Sequence, residues 1–372
     1  MKAYKKWVLG FIIINLSVFL LISMLVYILD PLQCFRRITC YEPSYSFRSR
    51  LMIPGIIKNY DYDMVIIGSS TSQNFKTSVA NELFNAKSIK CAVAGASGKD
   101  MQLFFNEIIK KKRPKRVIQG IDFTAYAGPP DRLRDIWPGY LYNMNCTNFY
   151  KYFFDGYVIK KARKIDWASL FDGKEHTFDH DRFSSFGKKE TPTYNRLVES
   201  YYDVRYNLTI NDNFNAEAKE SFKVNFIEEA KKYPEIEFDL FFPPYSILSW
   251  LKIDKLNQDN VEKYLQFRRF IVRECDMLEN VKVFDFQAVA EITHDLNSYY
   301  DVTHYSHNTN QLLLKLISEN KNEVDLQQCL VNNSLLRGQM AKFQKEQLPE
   351  IGKSHAEKQK GHKTADAVVC MF

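Results

Sequence analysis

Three residues far apart in the chain have the types and spacing for chemistry: Ser70, Asp301 and His304. Ser70 stands in Gly68-Ser69-Ser70-Thr71-Ser72, directly after the apolar run Met64 to Ile67. A strand that ends on glycine and passes through small hydroxyl residues into a helix presents them at the carboxyl edge of a sheet, where open α/β folds hold their ligands. The amides at such a helix start point at any anion held there. Taken alone, Ser69 to Ser72 read equally as a helix cap, because hydroxyls accept hydrogen bonds from first-turn amides. The far end of the chain changes the balance. Tyr300-Asp301-Val302-Thr303-His304 sets a carboxylate three residues before a histidine, just ahead of the last strongly apolar helical stretch. A histidine acting as base needs an acceptor for its Nδ1 proton, which Asp301 can supply while Nε2 faces Ser70. Together these residues predict acyl chemistry through a serine nucleophile.

Such groups need a scaffold that brings residue 70 to residue 304. Short apolar runs at Met64 to Ile67, Ile89 to Ala94, Arg116 to Ile121, Ile236 to Phe242 and Val281 to Phe286 read as strands. Helical stretches lie between them at Val79 to Phe84, Met101 to Lys111, Ala216 to Lys232 and Asn260 to Leu278, with Asn308 to Glu319 last. Runs that are apolar throughout fit strands covered on both faces, so the alternation predicts a three-layer α/β/α sandwich around a five-stranded parallel sheet. Residues 61–122 and 215–322 would form this domain. The aromatic-rich interval 123–214 breaks the rhythm and reads as an insertion or lid. Residues 323–372 read as a partly disordered tail.

The arrangement resembles the SGNH hydrolase superfamily, whose fold is flavodoxin-like. It is most similar to the membrane-anchored branch, with the D-alanyl transfer protein of teichoic acid modification and enzymes of exopolysaccharide O-acetylation. The resemblance covers roughly Asp63 to Asn320. Gly68-Ser69-Ser70 matches the first block and implies Ser70 as nucleophile; Asp301 and His304 match the last. The second block supplies a glycine amide to the oxyanion hole, and Gly95 in Ala94-Gly95-Ala96 stands at that place, beside the Ser70 amide. The third block departs: where the family has Gly-x-Asn-Asp, this chain has Gly120-Ile121-Asp122-Phe123. An ionised Asp122 would repel an oxyanion, so the expectation is that it is protonated, turns to backbone amides, or leaves the hole to Ser70 and Gly95. Ser69 and Tyr245 are further site candidates. Tyr245, in Phe242-Pro243-Pro244-Tyr245 after the fourth strand, reads equally as a wall of the pocket and as an aromatic packed beneath a strand end.

Val8 to Leu29 carries no charged residue and is long enough to span a bilayer as one helix. It lacks the short apolar region and small-residue site of a cleaved signal. Lys2, Lys5 and Lys6 favour a cytoplasmic amino terminus, with Arg36 and Arg37 partly offsetting them, so the domain is expected outside the cytoplasm, periplasmic or extracellular. Residues 1–30 are then the anchor and 31–60 a juxtamembrane tether. The net charge of +7 is scattered, which gives nucleic acid no surface to bind. The seven cysteines show no CxxC pair and read as free thiols. His176 and His180 lack a helical pattern and read as loop residues, so no metal is expected. No glycine-rich phosphate loop follows a strand, and no cofactor is expected.

The sequence therefore points to a serine-dependent esterase or O-acyltransferase of the envelope membrane working through an acyl-Ser70 intermediate. The resemblance implies an acyl donor, a polysaccharide or carrier acceptor and a membrane-bound acyltransferase partner. The alternative is a silent scaffold of the same fold that binds glycan or a membrane partner.

Overall fold

The structure, a computed structural model, describes residues 2–45, 48–143, 148–187, 191–206, 210 and 213–357. Cys146, Cys370 and the tail beyond 357 lie outside the described residues. The chain begins with α1 (Lys2–Leu29) and α2 (Ser49–Asn59), then enters the sheet through β1 (Met64–Gly68), α3 (Thr77–Phe84), β2 (Ser88–Ala92), α4 (Gly98–Lys111) and β3 (Arg116–Gly120). Six helices occupy the long interval and its exit: α5 (Phe123–Tyr126), α6 (Gly139–Tyr142), α7 (Phe149–Phe154), α8 (Gly156–Ala162), α9 (Tyr194–Tyr202) and α10 (Phe214–Phe222). A π-helical turn leads to α11 (Glu228–Lys232), followed by β4 (Glu237–Phe242), α12 (Ile247–Leu256), α13 (Gln258–Cys275), β5 (Val281–Asp285), α14 (Ala290–Thr293), α15 (His307–Ser318) and α16 (Leu326–Glu346).

The five strands form one parallel sheet in the order β2-β1-β3-β4-β5. Parallel neighbours need crossovers, which are right-handed. A connection leaving β1 toward β2 therefore covers one face, and connections running the other way cover the opposite face. Thus α3 lies on one face, where α15 packs against it, while α4, α10 and α13 pack on the other. Burial of all of β1 and β2 follows, and the expected three-layer sandwich is the fold. Chain direction reverses between β1 and β3, so the carboxyl ends of these strands open the crevice where such sheets hold ligands.

Glycine at the end of β1 is a packing requirement. A Cβ on Gly68 would collide with the Ser72 side chain, and one on Gly120 would stand 2.6 Å from Ser72 Oγ. That hydroxyl is buried and has no hydrogen-bond partner among the described residues. Gly68→Ala is therefore expected to destabilise the fold by about 1–3 kcal/mol, the range for overpacked cores, and to displace the Ser70 turn. Thermal unfolding checks the first effect.

Two stretches differ from expectation. Residues 31–60 are folded into the body rather than forming a tether: Met52, Ile53, Ile56 and Ile57 of α2 lie in the main core. Pro54 inside the helix hides its apolar face from a reading by pattern. Likewise, residues 326–346 of the expected tail form α16, which packs against α12 and α13. Its buried Cys329, Asn333, Leu336, Met340 and Phe343 recur every three to four residues among many Gln, Asn and Lys side chains, so the stripe is narrow. The 123–214 interval lies between β3 and β4, and its Phe123, Tyr126, Tyr152 and Leu197 share the main core.

The helix α1 is the one described helix long and apolar enough to cross a membrane, over Tyr4–Leu29. Asp30 ends it with a left-handed backbone, φ +38°. Its carboxylate accepts the amides of Cys34 (2.9 Å), Phe35 (2.8 Å) and Arg36 (3.1 Å) and the Tyr152 hydroxyl (2.7 Å). The Arg36 guanidinium folds back onto the Tyr27 and Ile28 carbonyls, a favourable place for a cation at a helix carboxyl end. Charged hydrogen bonds thus staple the helix directly to the domain.

Candidate active site

Ser70 opens a single 3-10 turn, Ser70–Ser72, directly after β1. Three tethers hold that turn. Buried Lys90 of β2 donates to the carbonyls of Gln73 (2.6 Å) and Phe75 (2.9 Å). The Tyr305 hydroxyl donates to the Thr71 carbonyl at 3.0 Å. The Val93 amide donates to the Gly68 carbonyl at 3.1 Å, which brings the loop after β2 alongside. In that loop Gly95 adopts φ +66°, and Ala94 lines the cleft with Ser70. Neither the Ser70 nor the Gly95 amide donates to an acceptor among the described residues.

The loop before α15 brings the other two residues to Ser70. His304 Nε2 lies 2.8 Å from Ser70 Oγ, and His304 Nδ1 lies 2.7 Å from Asp301 Oδ2. The other Asp301 oxygen accepts the amides of Thr303 and His304, both at 2.9 Å, which fixes the carboxylate within its own turn. With the Nδ1 proton given to Asp301, Nε2 is the acceptor for the Ser70 hydroxyl. Burial pulls the His304 pKa down, but the Asp301 hydrogen bond and charge, joined by the Asp122 charge, outweigh it and leave the pKa raised. For Asp301, burial pushes upward and the bonds from His304 and from the Thr303 and His304 amides win, leaving its pKa lowered. The ring of Phe186 meets His304 edge-on at 5.4 Å between centroids. The His304 side chain keeps 26% of its surface exposed, enough for a substrate to reach it.

Asp122 lies just after β3, 4% exposed, and turns away from the cleft, though to partners other than backbone amides. It receives three hydroxyls rather than backbone amides: Ser69 and Thr71 (2.8 Å) on Oδ2 and Tyr245 (2.6 Å) on Oδ1. Ser69 is therefore turned away from the cleft. Tyr245 is also buried, at 4% exposure, so it packs beneath the site and cannot stack on a ligand as a pocket wall. Asp122 ties the nucleophile turn to the loop after β4. Asp122→Ala would strand three buried hydroxyls, each losing a strong acceptor, and is expected to lower unfolding free energy by about 1–3 kcal/mol. Chemical denaturation measures this, and an unchanged midpoint would contradict the assignment.

The cleft over Ser70 holds about 500 Å³. Its far wall comes from residues that the sequence did not single out: Phe186, Arg196, Glu199, Asp203 and Arg205, with Tyr300 beside Asp301. Asn74, just past the Ser70 turn, accepts the Phe186 amide at 3.0 Å, and Lys252 of α12 holds the rest by donating to the carbonyls of Ser200 (2.9 Å), Tyr201 (2.7 Å) and Asp203 (2.7 Å). Tyr300 adjoins the Asp-x-x-His pattern and was the one detectable by position. The others lie in the long interval, where no spacing marks them. A second cleft of about 820 Å³ shares Ala94 with the first and is lined by Arg48, Arg134, Trp137 and Tyr157. His180 stands apart from both, edge-on to Tyr60 and Phe178, with burial pushing its pKa to about 4. Among the described residues no group of His, Cys, Asp and Glu assembles a metal site.

No family model matches the chain, and no curated protein matches it. Solved structures do. One is a candidate platelet activating factor from Streptococcus pneumonia, 10% identical, with a TM-score of 0.39, covering 73% of this chain and 90% of that one. Another is an acetyl xylan esterase from the rumen bacterium Butyrivibrio proteoclasticus, 10% identical, with a TM-score of 0.32, covering 70% of this chain and 63% of that one. At these scores the chemistry rests on the geometry of the site itself.

Proposed function

We propose that the chain is a membrane-anchored serine esterase or O-acyltransferase of the SGNH type. The observation that carries this is the continuous hydrogen-bonded series from Ser70 through His304 to Asp301 at the mouth of an open cleft. His304 Nε2 takes the Ser70 proton as Oγ attacks an ester carbonyl, and the imidazolium that forms is held by Asp301. The Ser70 and Gly95 amides receive the oxyanion. Collapse of the tetrahedral intermediate expels the alcohol, which takes the proton back from His304 and leaves an acyl-Ser70 ester. His304 then deprotonates water or an acceptor hydroxyl, which attacks that ester and frees Ser70.

The helix α1 anchors the enzyme in the cytoplasmic membrane as a single pass, with its amino terminus inside and the domain periplasmic or extracellular. This position favours envelope polysaccharide or an acylated carrier as substrate, with a membrane-bound acyltransferase as the source of the acyl group. Treating the full chain with a fluorophosphonate tests the reaction class. Peptide mass analysis should find the adduct on Ser70, and a folded protein that takes up no label would overturn the assignment.

A further inference from the structure

We propose that α7 is seated within the hydrocarbon of the bilayer, in the leaflet on the domain's side, as a second membrane contact beside α1. This rests on reading α1 as a span. Phe154, the last residue of α7, stacks on Phe19 of α1 with ring centroids 4.5 Å apart. Phe19 lies ten residues before Leu29, so about 15 Å down the helix axis at 1.5 Å per residue. The stretch Tyr4–Leu29 has 26 residues, so it is about 39 Å long against a hydrocarbon core of about 30 Å. Even if all of the surplus, about 9 Å, stood on the domain's side, Phe19 would remain about 6 Å inside the hydrocarbon. Phe154 shares that depth.

The rest of the segment suits the same medium. Tyr152 and Phe153 of α7 face the protein core, whereas Phe149 (42%), Tyr150 (50%) and Phe154 (41%) are exposed, as is Lys151, whose long stem lets its ammonium reach the headgroups. Three large aromatic side chains on one short helix are costly toward water and favourable in a leaflet and its interface. Past α7 the exposed side chains turn basic, with Lys160 on α8 and Arg163 and Lys164 just after it. Aromatic residues next to cations match acyl chains next to phosphate headgroups. The bilayer is thus the partner that the surface fits, and the domain lies on it at two points.

The test uses the full chain with Cys40→Ser, Cys146→Ser and Cys370→Ser, which leaves only buried cysteines, reconstituted in phosphatidylcholine vesicles with brominated acyl chains. Single cysteines at Tyr150 or Phe154 carry a fluorophore, with Leu16→Cys in the span and Met277→Cys at the opposite edge of the sheet as references. Turnover of p-nitrophenyl acetate confirms that each variant is folded. Quenching at positions 150 and 154 is expected to be of the same order as at 16 and several-fold above that at 277. Quenching at 16 alone would overturn the seating of α7 and leave the anchor intact. No quenching at 16 would overturn the anchor reading, and the seating with it.

Discussion

Ser70→Ala is expected to lower kcat for p-nitrophenyl acetate by about four orders of magnitude or more, the scale seen when the nucleophile of a cooperating triad is removed. The reason is structural. The turn that presents Oγ is held by Lys90, Tyr305 and the Asp122 hydroxyl cluster, none of which touches the lost oxygen, so the scaffold should survive the change. His304→Ala should cost about as much, because a hydroxyl without its base is a poor nucleophile and the two groups act as one unit. Fluorophosphonate labelling should vanish in both. Steady-state kinetics on the full chain settles the matter: a Ser70→Ala enzyme that kept more than about a tenth of its turnover would rule out an acyl-Ser70 route, since such a loss is far below triad scale.

Asp301→Asn is expected to have the second largest effect, and it separates two roles of the carboxylate. An amide at this place donates to His304 Nδ1 instead of accepting from it. The ring proton then moves to Nε2, which faces Ser70 as a donor and cannot act as base; the comparable change in a serine protease costs about 10⁴ in kcat. The pH dependence moves as well. Catalysis needs neutral His304, so kcat/KM rises with pH through the His304 pKa, which lies above the ordinary imidazole value. Removing the Asp301 charge leaves burial as the main influence, which lowers that pKa, so the acid limb of the residual activity should shift to lower pH. The same pairing stabilises the fold below the ordinary imidazole pKa, and that contribution fades as pH rises through the raised native value. An acid limb that stayed in place would show that Asp301 does not set the charge of His304.

Much of this site is legible in the chain because its chemistry is packed into two short patterns. Gly-Ser-Ser after an apolar run and Asp-x-x-His before a helix each lie within a single turn, and the sheet needs only its ordinary right-handed crossovers to bring them together. The five strands were readable for a similar reason, since burial on both faces leaves runs that are mostly apolar, broken only by single residues such as Lys90, Gln119 and Asp239. What was hidden depends on distant partners. Nothing about Tyr245 in the sequence tells that its hydroxyl is spent on Asp122, because that bond crosses from one strand end to another. Asp122 looked like a departure from an amide-donating pattern, yet its role is fixed by three hydroxyls from two loops. The cleft wall at Arg196 to Arg205 is held by Lys252 of α12, whose ammonium donates to the Ser200, Tyr201 and Asp203 carbonyls, contacts without any local signal. In α2 and α16, a proline and a wealth of amide side chains masked narrow apolar stripes that become decisive only against a neighbour.

The crowding around Ser72 has a consequence for how this chain can change over generations. A side chain at position 68 would clash with both the Oγ and the Cβ of Ser72, whereas position 120 is crowded first by the Oγ and next by the Phe241 ring. Trimming Ser72 to alanine therefore eases position 120 but leaves position 68 closed, and only glycine at 72 opens both. A lineage that lost Gly68 first would pass through a damaged protein; one that first exchanged Ser72 for glycine would not meet that clash. The three positions thus behave as one inherited unit whose members can be exchanged in a single order.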